Sequence, residues 1–253
     1  MVRAVYVDTI CDDAFGDLPT VWLQPCSRTL RHLTLSSTQY FGFFPRLPLQ
    51  GVKFDRLQAL SLSKFTFGEP STLRWVLSHE DTLTELSLDR FAIIYAATFR
   101  PDILDDLHPE GFDVDRDHGG HVHITYDGRW HACFDLLKVR LPHLRRFHFG
   151  LCVKDWRDGR TLFAREGHID PGFYVKLYMV YRSGGFGYTT VCGFTEERYI
   201  SNPEGWTTGW EAFLSLHTTV CRRCAGIEIS EETMCPRIGT PEDIVRGQED
   251  DTG

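Results

Sequence analysis

The spacing L-x-x-L-x-L recurs along this chain, and a recurring spacing of three and then two residues leaves few folds open. It stands at Leu30, Leu33 and Leu35, at Leu57, Leu60 and Leu62, and at Leu83, Leu86 and Leu88. In "LPHLRRFHFG" it returns as Leu144, Phe147 and Phe149. The copies begin at residues 30, 57, 83 and 144, so the first three are spaced by 27 and 26 residues and the last follows an acidic insertion. A pattern of this kind at intervals of about 20 to 29 residues is the mark of leucine-rich repeats, in which each copy supplies a short strand and a return segment, and stacking buries the leucines. The expected fold class is therefore α/β: an irregular leucine-rich-repeat-like solenoid with parallel strands, helical return segments and a C-terminal cap.

The flanks of the pattern agree with it. "VWLQPCSRTLRHLTLSS" and "RWVLSHEDTLTELSLDR" superpose Trp22 on Trp75 and Thr29 on Thr82. "EPSTLRWVLSH" opens with Pro70 and Ser71 and carries Leu73, Val76 and Leu77 on one helical face. "DGRWHACFDLLKV" repeats the arrangement with Trp130, Phe134 and Leu137. The Asn or Cys that usually follows the last leucine by three residues is replaced by Thr38, Phe65 and Phe91, so no Asn ladder can hold the turns.

Side chains alternate along a strand. If the leucines face inward, His32, Thr34 and Ser36 face outward, as do Ala59, Ser61 and Ser63, then Glu85, Ser87 and Asp89, then Arg146, His148 and Gly150. The binding surface expected from this rule comprises His32, Thr34, Ser61, Glu85, Ser87, Arg146 and His148, a mixed polar face suited to a protein partner.

Two stretches, "FGFFPRLPLQGVKFDRLQALSLSKFTFGEPSTLRWVLSHEDTLTELSLDRFAII" and "YDGRWHACFDLLKVRLPHLRRFHFG", resemble the region downstream of the F-box in a large group of F-box proteins of filamentous fungi. The shared features are the L-x-x-L-x-L strand, a W-x-L-S-H helix, and an R-W-x-x-x-F helix leading to L-P-x-L-x-x-F-x-F-G, over roughly residues 20 to 220. The resemblance implies a substrate-recognition region of a ubiquitin-ligase subunit. No Leu-Pro-led helical F-box precedes the repeats, since Pro25 follows Leu18-Pro19 too soon, so binding of the ligase adaptor is not expected of this stretch.

Composition narrows the alternatives. The net charge of −8 over 253 residues disfavours nucleic acid, which needs clustered Lys and Arg. No run approaches the roughly 20 apolar residues of a spanning helix, and Asp8, Asp12 and Asp13 break any leader-like segment. The 8 scattered cysteines point to a reducing, intracellular setting, cytoplasmic or nuclear.

No phosphate-binding loop, nucleophile elbow or zincin helix is present, so an enzyme is not expected. "RSGGFGYTT" reads as the turn of a hairpin, and His121 and His123 read as solvated loop histidines. The alternative reading is zinc held by His217, Cys221, Cys224 and Cys235, spaced H-x3-C-x2-C-x10-C. Against it, "GWEAFLSLHTTVCRRC" has the pattern of an amphipathic helix. The expected organisation is a repeat region over 1–150 with an acidic insertion at Tyr95–Arg129 read as a loop with little fixed structure of its own, a cap over 151–225, and a disordered tail over 226–253.

Overall fold

The computed structural model describes residues 2–7, 16–43, 46–67, 70–99, 112–117, 120–150, 178–182, 198–199 and 206–225. They form a mixed α/β structure built on a mostly parallel sheet. The first strands are β1 (Val2–Val7), β2 (His32–Phe41), β3 (Ala59–Phe67) and β4 (Glu85–Asp89). After β5 (Ala92–Phe99), β6 (Phe112–Arg116) and β7 (Val122–Tyr126) comes β8 (Arg146–Gly150). β1, β2, β3, β4 and β8 lie side by side, all parallel.

The leucine spacing fixes their register. Leu33 pairs with Leu60, Leu60 with Leu86, and Leu86 with Phe147. One step along, Leu35, Leu62, Leu88 and Phe149 make a second row. Every one of these side chains is buried in one apolar cluster. A slip of one residue would turn each of them to the opposite side of the sheet, so the repeat spacing in the sequence and the pairing in space are the same constraint.

Two helices pack on the leucine side. α1 (Pro70–Leu77) begins with a proline, which lacks the N–H that a first turn leaves unpaired, and buries Trp75, Val76 and Leu77. α2 (Trp130–Arg140) buries Trp130, Cys133, Phe134 and Leu137, the i, i+3, i+4, i+7 stripe of a helix facing a core.

The W-x-L-S-H segment closes α1 onto the preceding turn. The Trp75 indole N–H donates to the Val52 carbonyl at 2.7 Å, and the Phe54 backbone N–H donates to His79 Nε2 at 3.1 Å. Since Nε2 accepts, Nδ1 carries the proton and donates to the Trp75 carbonyl at 3.0 Å. His79 is only 2% exposed and stacks on Phe54. Burial lowers its pKa, with Lys53 adding a smaller push in the same direction, against backbone contacts at Trp75 and Val76 that raise it.

Where an Asn ladder would hold the turns, aromatic rings stack instead. Phe65 sits between Phe41, edge-on at 5.0 Å, and Phe91, stacked at 5.4 Å. Phe91 meets Trp130, which meets Phe134 and Phe149, and Phe149 meets Phe213. Lys64 and Arg90, each immediately before its phenylalanine, both adopt positive φ, at 53° and 48°. The same left-handed turn thus swings Phe65 and Phe91 under the sheet at equivalent points. β2 differs: its pairing with β3 shifts between Ser36 and Phe41, and Gly42, at φ 112°, brings its backbone against Phe65 and Thr66.

Two sequence expectations change. Tyr95–Arg129 is not structureless, because it contains the end of β5 and the antiparallel hairpin β6–β7, with β7 pairing back on β5. Val122, Ile124 and Tyr126 alternate inward there, while Asp113 and Asp115 are exposed on the outer strand. Within 151–225, β9 (Tyr178–Arg182) lies in the first flank of the expected hairpin, runs parallel to β5 and pairs antiparallel with the two-residue strand β10 (Arg198–Tyr199). Trp22 is not a counterpart of Trp75, for it lies on a π-helical turn, Leu18–Leu23, and is 63% exposed against 3% for Trp75. The glycine turn at 183–187 and the tail at 226–253 lie outside the described residues.

α3 (Trp206–Ala225) completes the described structure, with Phe213, Leu216 and Val220 in the main core. It rests on α2 and β8. Arg223 donates to the Leu141 carbonyl at 2.7 Å and to the Lys138 carbonyl at 2.9 Å, satisfying carbonyls that the end of α2 leaves open. Lys138 reaches Ser215 at 3.1 Å.

Candidate functional site

Between the first and second leucine of each copy stand two residues, and these occupy the leading edge of the parallel sheet. They are Arg31 and His32, Gln58 and Ala59, Thr84 and Glu85, then Arg145 and Arg146. One backbone device repeats under all of them. The Arg31 carbonyl accepts from the N–H groups of Gln58 and Ala59, the Gln58 carbonyl from those of Thr84 and Glu85, and the Thr84 carbonyl from those of Arg145 and Arg146, at 2.7–3.1 Å. The Thr84 hydroxyl adds a further bond to the Gln58 carbonyl at 3.0 Å. Paired acceptors at every step hold the edge stiff, so its side chains project at the strand spacing of about 4.8 Å.

This band is where solvent meets the repeats. Arg31, Gln58, Arg145 and Arg146 are exposed, His32, Thr84 and Glu85 are half-buried, and Ala59 is buried. Arg146 donates to the Glu85 carboxylate at 2.7 Å, from one strand to its neighbour. Arg31 and Arg145 make no ion pair among the described residues.

The rows deeper along the strands correct the expected binding surface. Thr34, Ser61 and Ser87 are 6%, 0% and 6% exposed, and Ser36, Ser63 and Asp89 are buried too. Alternation fixes the side of the sheet from which a side chain leaves, but on β2, β3 and β4 the next two rows on that side are buried, and only on β8 does the deeper row stay partly open, at His148. Ser63 donates to Asp89 Oδ2 at 2.7 Å, whereas the Ser36 and Ser61 hydroxyls are buried with no hydrogen-bond partner among the described residues. Of the seven residues expected on the face, His32, Glu85, Arg146 and half-buried His148 remain within reach of solvent.

His148 stands where β8 meets α3. Burial lowers its pKa, the Glu85 carboxylate opposes that, and Arg146 adds to it. His217, on α3, is lowered by burial first and by repulsion from His148 second, so the fold brings together two histidines that the sequence had assigned to different sites.

The proposed zinc ligands are only partly assembled. His217 Nδ1 lies 3.7 Å from Cys221 Sγ, one helical turn apart. Cys224 is exposed a turn further on, and Cys235 lies outside the described residues. Among the described residues no group of three or more His, Cys, Asp or Glu side chains is placed to hold a metal. At the β6–β7 turn, His121 and His123 both lean on the Asp117 carboxylate, at 3.4 and 3.3 Å, and His123 also contacts the Thr98 hydroxyl at 3.0 Å.

Arg31, Gln58, Thr84 and Arg145 escaped the sequence reading. It began the strand face at the residue just before the second leucine, although L-x-x-L leaves both intervening residues outside the apolar rows. Compared with known proteins, the chain matches no family model, no curated protein and no solved structure. No described helix is long and apolar enough to cross a membrane.

Proposed function

We propose that this chain is a non-enzymatic protein-interaction module: an irregular leucine-rich-repeat-like solenoid whose leading edge takes a protein partner, similar to the substrate-recognition region of an F-box ubiquitin-ligase subunit. The observation that carries the reading is the four-strand register, in which copies begun at residues 30, 57, 83 and 144 place their equivalent residues side by side and leave one accessible polar band. Stacked repeats with such a band are a frequent docking architecture. α3 acts in this reading as the cap that shields Phe147 and Phe149 at the last repeat.

The test is cross-linking in cell extract followed by mass spectrometry, comparing the wild-type chain with Glu85→Ala and Arg146→Ala. A specific partner lost with either substitution supports the module. Failure of the wild-type chain to retain any specific partner refutes it.

A further inference from the structure

The leading edge has a charge opposite to that of the chain that carries it. Arg31, Arg145 and Arg146 stand in the band itself, and Arg28 and Arg56 on the exposed turns before β2 and β3. On the same turns and strand starts stand Asp55, Asp81 and Glu85, of which Glu85 is already engaged by Arg146. Five guanidinium groups against three carboxylates make a positive strip on a chain of net charge −8. Arg28, Arg31, Arg56 and Arg145 are exposed and form no ion pair among the described residues.

We infer that this strip binds an extended acidic peptide segment laid across the strand starts from β2 to β8. The inference rests on the interaction-module reading and specifies its partner. Arg31 and Arg145 occupy one row, immediately before β2 and β8, three strand steps apart, which separates their backbones by about 14 Å. An extended peptide rises about 3.3 Å per residue, so carboxylates about four residues apart reach both guanidinium forks at once. Between the forks the exposed Gln58 carboxamide offers a donor and an acceptor to the peptide backbone. The planar fork of arginine suits paired carboxylate oxygens better than an ammonium group would. A long polyanion fits less well, because beyond this short strip it meets a protein of like charge.

The experiment is fluorescence anisotropy with a labelled synthetic peptide carrying two glutamate pairs about four residues apart in a Gly/Ser background, titrated with the full chain. Binding is expected at low salt, weakening as ionic strength rises. Arg31→Glu/Arg145→Glu should weaken it at least about tenfold, whereas Arg116→Glu/Arg222→Glu, with the same change in net charge away from the strip, should not. Circular dichroism melts equal to wild type establish that the variants are folded. The inference is overturned if the glutamate peptide binds no better than its glutamine counterpart, if both double variants bind alike, or if an oligo-deoxythymidine probe binds more tightly than the peptide. The module reading is judged separately, by whether the wild-type chain retains a cross-linked partner in extract.

Discussion

Replacing His79 by leucine tests the clamp between α1 and the turn before β3. The Phe54 N–H would lose its acceptor in a buried place, a loss of about 1–3 kcal/mol, and the ring stack on Phe54 would lose about 0.5–1.5 kcal/mol. The Trp75 carbonyl keeps the Ser78 hydroxyl at 2.7 Å and the Ser78 N–H at 3.1 Å, so it is not orphaned. Leucine recovers part of the apolar burial, which leaves a net destabilisation of about 2 kcal/mol near neutral pH.

The size of that gap depends on pH. The folded protein holds His79 with its pKa lowered, chiefly by burial, while the unfolded chain takes up a proton at the ordinary value near 6.5. Below that pH the unfolded state binds more protons, so His79 makes stability fall as pH drops toward its folded pKa, by at most about 1.4 kcal/mol per pH unit. Above pH 6.5 the contribution is fully present. His148 and His217 act in the same sense and persist in the variant. Urea melts of both proteins at about pH 7.5 and about pH 5.5 isolate the His79 share. The wild-type advantage should narrow as pH falls. An advantage that is absent at pH 7.5, or that stays constant between the two pH values, would refute the assigned tautomer and the clamp.

Three further outcomes can be measured directly. Phe65→Ala, at a side chain that is 0% exposed between two rings, should lower stability by about 3–5 kcal/mol in denaturant melts. Gly42→Ala should also destabilise, by at least about 1 kcal/mol, since its Cβ would lie 2.6 Å from both the Phe65 ring and the Thr66 carbonyl at a φ of 112°; a thermal melt reads this. In native alkylation followed by mass spectrometry, exposed Cys224 should react well before buried Cys133, and equal rates would contradict the packing of α2.

The strand register could be read from the sequence because it is encoded locally and repeatedly: a leucine displaced by one residue would leave the core. Helices α1 and α2 were legible for the same reason, through Leu73, Val76 and Leu77 and through Trp130, Phe134 and Leu137. Solvent access was not legible, since alternation tells which side of the sheet Ser61 and Ser87 leave from but not that they are buried there. The hairpin β6–β7 was hidden by its own chemistry. Val122, Ile124 and Tyr126 alternate as a strand should, but Asp113, Asp115 and Asp117 nearby gave the segment the composition of a loop. The His79 clamp needed a backbone partner 25 residues upstream, which no local pattern announces.

The run of rings from Phe41 through Phe65, Phe91 and Trp130 to Phe149 has a mechanical consequence. Each ring borrows its enclosure from the next copy, so no single strand can peel away without uncovering its neighbour's aromatic side chain. Where strands held by separate turn bonds can fray from one end, these should melt as a single block, with terminal and central amides exchanging their hydrogens at similar rates.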